Sequence, residues 1–349
     1  MSLLDEANEI EVDERRESVE RHRLNAIITS LTRENRQLRD DLGLLTTLEA
    51  QATKPPRWLR QPGGSGHRGI VTAVLSDQHY GEVVRPEQIG YVNAYNPTIA
   101  EIRTRKFFER VLVLARDYIK GVEYDGGILM LPGDGLTGTI HEELARTNAE
   151  TVMESVLKAV EWIAAGIALL ADDLGDLLVP CVVGNHTRLT HKPIAKNRAQ
   201  DNLDWLVYKL LEREFRHDER VTMMVADGAD LLVPAYDTTY LLTHGDQFRG
   251  GTGISGSMAP IALGQHRKTR RQVSAGEPYD WMVMGHWHLA AGPGRGVIQS
   301  GTLKGVDEYA WVNNYEVTPP QLAWWVTTPE HGPAFYTPIE PADREQEGW

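Results

Sequence analysis

The stretch Gly69-Ile70-Val71-Thr72-Ala73-Val74-Leu75-Ser76-Asp77-Gln78-His79-Tyr80-Gly81 passes abruptly from an apolar, β-branched run to a polar loop. Residues 70–75 have the composition of a buried strand, and Asp77 and His79 follow it directly. The same arrangement recurs four times. Residues 127–131 run into Pro132-Gly133-Asp134-Gly135, and 177–183 into Gly184-Asn185-His186-Thr187. Residues 240–243 run into His244-Gly245-Asp246, and 281–284 into Gly285-His286-Trp287-His288. Helical periodicity over 102–119, 142–171 and 195–215 separates the early strands. Strands alternating with helices predict an α/β fold whose early strands are largely parallel. Further strands are expected at 221–225, 231–234, 297–299, 322–326 and 334–338. Their closer spacing predicts a second, more antiparallel sheet.

In an α/β sheet, ligands collect at the carboxyl ends of the strands, so the five polar clusters are expected at one rim. Carboxylate, amide and imidazole groups suit divalent Zn, Mn or Fe. In Asp-x-His and His-x-His an extended segment puts residues i and i+2 on the same side. Glycine in each cluster allows tight turns and close backbone approach. Two ions held close together form a clamp for displacement at phosphorus, and Asp77, His79, Asp134, Asn185, His244, His286 and His288 supply enough ligands for two. Taken singly each motif is unspecific; the ordered set of five is what carries the reading.

The order Asp-x-His, Gly-Asp, Gly-Asn-His, His, Gly-His-x-His resembles the calcineurin-like metallophosphoesterase superfamily, over about Gly69 to Tyr336. The resemblance implies a two-sheet β-sandwich flanked by helices. It implies that Asp77, His79 and His288 hold the first metal, that Asp134 bridges both, and that Asn185, His244 and His286 hold the second. His186 would not be a ligand. It would sit over the phosphate as the catalytic residue, stabilising charge or protonating the leaving oxygen while a metal-bound hydroxide attacks. Two divalent ions are implied, Mn first, with Fe, Zn or Ni also compatible. Thr187 stands where many family members carry Asp or Glu, and Gly135 where they often carry an acidic or aromatic residue. The stretches 184–188, 201–205 and 300–309 are similar to phage and prophage members grouped with SbcD-type DNA repair nucleases, which implies a DNA substrate.

Candidate substrate contacts are His141 and Arg188, and Arg267, Lys268, Arg270 and Arg271 in the most basic run of the chain. The bland alternatives are a helix start for His141 and solvated salt bridges for the cations. Two other functions remain open from sequence: a phosphatase or phosphodiesterase for nucleotides, small molecules or phosphoproteins, and a metal-stabilised assembly protein without catalysis.

Residues 1–50 form a separate segment. Leu24, Leu31, Leu38 and Leu45 at d, with Ile28, Asn35 and Leu42 at a, make about three heptads. They predict a coiled-coil helix and a homodimer or a helical partner. Residues 51–68, with three Pro and three Gly, read as a linker. Residues 69–339 read as the phosphoesterase-like domain and 340–349 as a flexible tail.

The chain has 349 residues, 41% hydrophobic and 24% charged, which excludes a collagen-like or wholly disordered protein. No apolar run approaches membrane-spanning length, and the acidic start lacks the pattern of a signal peptide. A single cysteine, Cys181, leaves no internal disulfide. A cytoplasmic location is expected. The net charge of −13 gives nucleic-acid binding no global electrostatic support, so any such contact must be local.

Overall fold

The computed structural model describes residues 56–59, 66–248, 258–294 and 296–349. The heptads of residues 24–45 lie outside the described residues. The described strands and helices all belong to the unit beginning at Pro55.

Eleven strands are described: β1 Arg68–Val74, β2 Glu123–Met130, β3 Leu177–Cys181, β4 Val221–Val225, β5 Asp230–Ala235, β6 Thr238–Thr243, β7 Trp281–Met284, β8 Ala291–Gly294, β9 Val297–Gln299, β10 Leu322–Thr328 and β11 Gly332–Ile339. The helices are α1 Pro97–Val113, α2 Glu142–Thr147, α3 Val152–Leu174, α4 Leu203–Glu214, α5 Met258–Ala275, α6 Glu308–Val312 and α7 Arg344–Glu347. Two sheets form, in the orders β11-β10-β1-β2-β3-β4 and β5-β6-β7-β9-β8.

In the first sheet β1, β2, β3 and β4 are mutually parallel, as the alternation with helices predicts. Strands β10 and β11 extend it antiparallel. The second sheet is mixed rather than mainly antiparallel. Its β5–β6 and β8–β9 pairs are antiparallel, while β6–β7 and β7–β9 are parallel. Helix α5 makes the β6-to-β7 link a crossover, and a crossover returns a strand parallel to its predecessor.

Strand alternation sorts the core. Val71 and Ala73 of β1 and the next residue, Leu75, face one way and join Phe107, Val111, Ile163 and Ile167 of α1 and α3. Ile70 and Val74 face the other way and join Tyr240, Leu242, Val283 and Ile298 of the second sheet. The far side of that sheet carries Leu241, Met282 and Met284, packed with Phe248 of the loop after β6 and with Ile261 of α5. The layers are therefore helices, sheet, sheet, helix. Adjacent Trp324 and Trp325 obey the same period of two, one in each of the first two cores and both fully buried. Between the sheets, Thr327 Oγ1 bonds Thr72 Oγ1 at 3.0 Å and Tyr240 Oη at 2.8 Å, and Trp325 Nε1 donates to Tyr240 Oη at 3.1 Å. These pairings satisfy polar groups that would be costly to bury alone.

Three expected elements differ. The helix expected over 195–215 begins only at Leu203, after its cap Asn202. Residues 142–171 are two helices, because Thr151 begins a new one: its hydroxyl accepts from Glu154 N while the Glu154 carboxylate accepts from Thr151 N. The segment 340–349 contains α7 and is anchored. Glu347 receives two 2.9 Å bonds from Arg103, with both side chains fully buried. Among the described residues no helix is long and apolar enough to cross a membrane.

Candidate metal centre

The five clusters leave the carboxyl ends of β1, β2 and β3 in the first sheet and of β6 and β7 in the second. Because β1–β3 are parallel to one another, and β6 and β7 likewise, each sheet delivers its loops at one end. The loops then meet. Gly133, at φ 100°, packs on Gly184 so tightly that a Cβ on it would lie 2.1 Å from Gly184 N. That contact sets Asp134 beside Asn185 and His186, and His186 N donates to Asp134 Oδ1 at 2.8 Å. Across the sheets, His286 N donates to both Asp77 oxygens, at 3.1 and 3.0 Å.

Asp77, His79, Asp134, His286 and His288 all have positive φ, between 49° and 68°. Each such non-glycine residue costs about 1–3 kcal/mol and persists only where its surroundings over-determine it. Five in one site match a set of side chains aimed by their loops rather than relaxed.

Two groups of donors share this pocket. Asp77, His79 and His288 form one; Asp134, His244 and His286 form the other, with the ligand atoms of each group all within 4.8 Å of one another. In the first, His79 Nε2 faces His288 Nε2 at 3.1 Å, and His288 Nε2 lies 3.4 Å from Asp77 Oδ1. In the second, His244 Nε2 lies 3.0 Å from Asp134 Oδ2 and 3.1 Å from Asn185 Oδ1. Asp134 also groups with His79 and His186, so this carboxylate stands between the two sets. Asp77, His79, Asp134 and His244 are essentially fully buried, whereas the His288 side chain is 31% exposed. The site therefore opens to solvent on the His288 side.

The donor chemistry fits divalent cations. Converging imidazole nitrogens and carboxylate oxygens, buried and carrying few protons, otherwise repel or stay unsatisfied. Burial, with Lys304 nearby, holds His79 well below the usual histidine range. Burial brings His286 down to about 4. Burial likewise lowers His186 to about 4 against the pull of Asp134. At neutral pH these rings are therefore neutral, the state in which imidazole ligates metal. His244 is the exception: burial lowers it, but the Asp134 charge and hydrogen bond prevail and raise it to about 10. A proton on His244 thus occupies the place that a cation would take.

His186 lies beside both donor sets, grouped with His79 and Asp134. Its ring stands edge-on to His79, centroids 4.7 Å apart, and Nδ1 donates to Thr137 O at 3.3 Å. This fixes the tautomer, with the proton on Nδ1, and leaves the Nε2 lone pair free to accept a proton.

Of the candidate substrate contacts, His141 is exposed with its ring 5.3 Å from that of His186. Arg188 points elsewhere: its guanidinium donates to the backbone carbonyls of Asn185, Thr190 and His191 at 2.7, 3.0 and 2.9 Å. It shapes its own loop. In the basic run, Lys268 is buried and, with Arg271, bonds Asp230. Arg267 and Arg270 are exposed on α5.

Several supporting residues were not singled out for a role from sequence. Asp204, at the start of α4, accepts from Asp134 N and Gly184 N at 2.9 Å each and from Gly135 N at 3.2 Å. One buried carboxylate thereby ties the β2 and β3 loops together. Burial and the neighbouring Asp134 charge raise its pKa to about 6. Asn202 caps α4 and receives the Thr187 hydroxyl at 2.6 Å. Thr187 thus bonds directly to the α4 cap that positions Asp204. Glu82 and Lys304 form a second buried support behind His79. Nothing in sequence links positions 82 and 304; a second acid close to the Asp-x-His motif is the one legible hint.

No protein-family model and no curated protein sequence matches the chain. Solved structures with partial likeness include vacuolar protein sorting 29 of Cryptosporidium parvum, 12% identical over 78% of this chain and 97% of that one, TM-score 0.29. A predicted phosphoesterase of Streptococcus pneumoniae is 10% identical over 79% and 99%, TM-score 0.27. A putative 5'-nucleotidase of Staphylococcus aureus is 13% identical over 79% of this chain and 55% of that one, TM-score 0.32. At such values the likeness assigns no family. The two-sheet, helix-flanked architecture and the donor groups stand on the chain's own geometry.

Proposed function

We propose that the protein is a dinuclear metal-dependent phosphodiesterase acting on DNA. The observation that carries the metal-dependent reading is Asp134, a buried carboxylate standing between two donor groups. A structural histidine cluster needs no such shared acid.

When bound, two divalent ions would neutralise the phosphate and lower the pKa of a water to supply the nucleophile. Asp77, His79 and His288 would hold one, and Asn185, His244 and His286 the other, with Asp134 shared. The protein's own part is orientation. The positive-φ loops aim the ligands, and Asp204 locks two of those loops. His186, neutral and with its proton on Nδ1 committed to Thr137, would accept a proton at Nε2 beside the reacting phosphate and then return it to the leaving oxygen. His141, on the exposed side of His186, would meet the substrate.

The DNA reading rests on the resemblance to SbcD-type nucleases and on Arg267 and Arg270. A smaller phosphoester is the second reading. It is favoured by the pairing of Lys268 and Arg271 with Asp230, which removes half of the expected cationic track. The coiled-coil homodimer through residues 24–45 belongs to the same proposal.

The test is a substrate panel. Metal-stripped protein given Mn²⁺ is offered linear DNA, circular single-stranded DNA and bis-p-nitrophenyl phosphate. Metal-dependent DNA cleavage is expected. Cleavage of the small diester alone would transfer the function to the second reading, and turnover of none would remove the enzyme.

A further inference from the structure

Behind His79 lies a buried charged cluster that the ligand set does not use. Lys304, 2% exposed, donates to Glu82 Oε1 at 2.9 Å and also to Asp307 Oδ2. Glu82 is 4% exposed. Its other oxygen, Oε2, faces Thr137 Oγ1 at 3.3 Å and His79 Nδ1 at 3.7 Å. That Nδ1 is buried and has no hydrogen-bond partner. The opposite nitrogen of the same ring, Nε2, faces His288 in the first donor group.

The cluster is rigidly mounted. The Lys304 carbonyl accepts from Asn93 at 2.9 Å and from Arg103 at 2.6 Å, and Arg103 is in turn clamped by Glu347. Glu82 N donates to His79 O at 3.2 Å, so the loop turns back on itself and holds its carboxylate at the ring.

We infer that Glu82 is a positioning residue for His79: its Oε2 accepts the Nδ1 proton, leaving the Nε2 lone pair for the cation shared with Asp77 and His288. This role depends on the proposed metal site. Hydrogen bonds from ligating imidazoles to carboxylates fix tautomer and orientation. Closing 3.7 Å to a hydrogen bond needs a shift of about 0.5–1 Å. Lys304 sets the direction. It has donors only, so it requires an acceptor at position 82. In Glu82→Gln the amide oxygen must face Lys304, and the NH₂ group then faces His79 Nδ1. The ring would carry its proton on Nε2, blocking the ligand position.

The experiment is calorimetric titration of Mn²⁺ into the full chain, wild type and Glu82→Gln. Wild type is expected to bind two ions. Glu82→Gln is expected to lose roughly 10- to 100-fold in affinity at one site and to keep the other. Equal affinities at both sites in the variant would overturn the inference. No binding by wild type would overturn the metal-site reading instead. A second readout uses wild type alone, whatever the folding of the variant. In zinc-loaded, ¹⁵N-histidine-labelled protein, His79 is expected to show a slowly exchanging, downfield Nδ1–H resonance. Coordination through Nδ1, or a fast-exchanging proton there, would contradict the role of Glu82.

Discussion

His244 Nε2 sits 3.0 Å from Asp134 Oδ2 in a site where both side chains are buried. This pair binds a proton where the proposed site has a cation. The His244 pKa is raised from 6.5 to about 10, so in metal-free protein the pair's stabilisation is full below 6.5 and is lost as pH rises through about 10. A cation must displace that proton. Calorimetry at pH 7 in buffers of different ionisation enthalpy is expected to show release of about one proton as this site fills. Affinity is expected to rise with pH over the same window. Binding without proton release would contradict the pairing.

Asp204→Asn probes the tie between the β2 and β3 loops. The carboxylate accepts three backbone N–H groups, and an amide supplies only one acceptor oxygen. Leaving a buried donor unsatisfied costs about 1–3 kcal/mol. The variant is expected to lose about that much in denaturant unfolding and to bind metal more weakly at the Asp134 site. Unchanged unfolding would show that Asp204 holds neither loop.

Arg103→Met tests the C-terminal anchor. The Arg103–Glu347 pair is fully buried, and removing one partner of such a pair costs about 3–5 kcal/mol. Truncation after residue 339 is expected to destabilise comparably, since it deletes Glu347 and uncovers Arg103. Thermal unfolding checks both. A truncated protein as stable as the full chain would make the tail dispensable.

Replacing Leu31 and Leu38 with Lys removes two heptad d positions. Light scattering is expected to report a monomer in place of a dimer, with hydrolysis retained. A dimer that survives both changes would remove the coiled-coil proposal.

Legibility from sequence followed the range of the interactions. Strands β1 to β7 and β9 to β11 were readable because each is a short apolar run, and the ligand candidates because each follows such a run. Strand β8, Ala291–Gly294, was missed: Ala-Gly-Pro-Gly has no strand propensity, and pairing with β9 alone draws it into the sheet. The anchoring of Glu347 was missed because its partner Arg103 is 244 residues away. The same distance problem hid the Glu82–Lys304 pair, separated by 222 residues. Charge alone suggests a cationic track on α5, yet Asp230, arriving on strand β5, takes Lys268 and Arg271. Candidate ligands announce themselves through local motifs; the residues packed and bonded around them do so only in three dimensions.

The most direct measurement of the central claim is hydrolysis of bis-p-nitrophenyl phosphate by Mn²⁺-reconstituted protein, wild type against Asp134→Asn. Asparagine keeps the size of the side chain and removes the charge that both ions would share. Metal-dependent turnover by wild type is predicted, reduced in the variant by more than the roughly 100-fold that loss of an outer-shell partner costs. Turnover in Asp134→Asn within a few-fold of wild type would contradict the two-metal site.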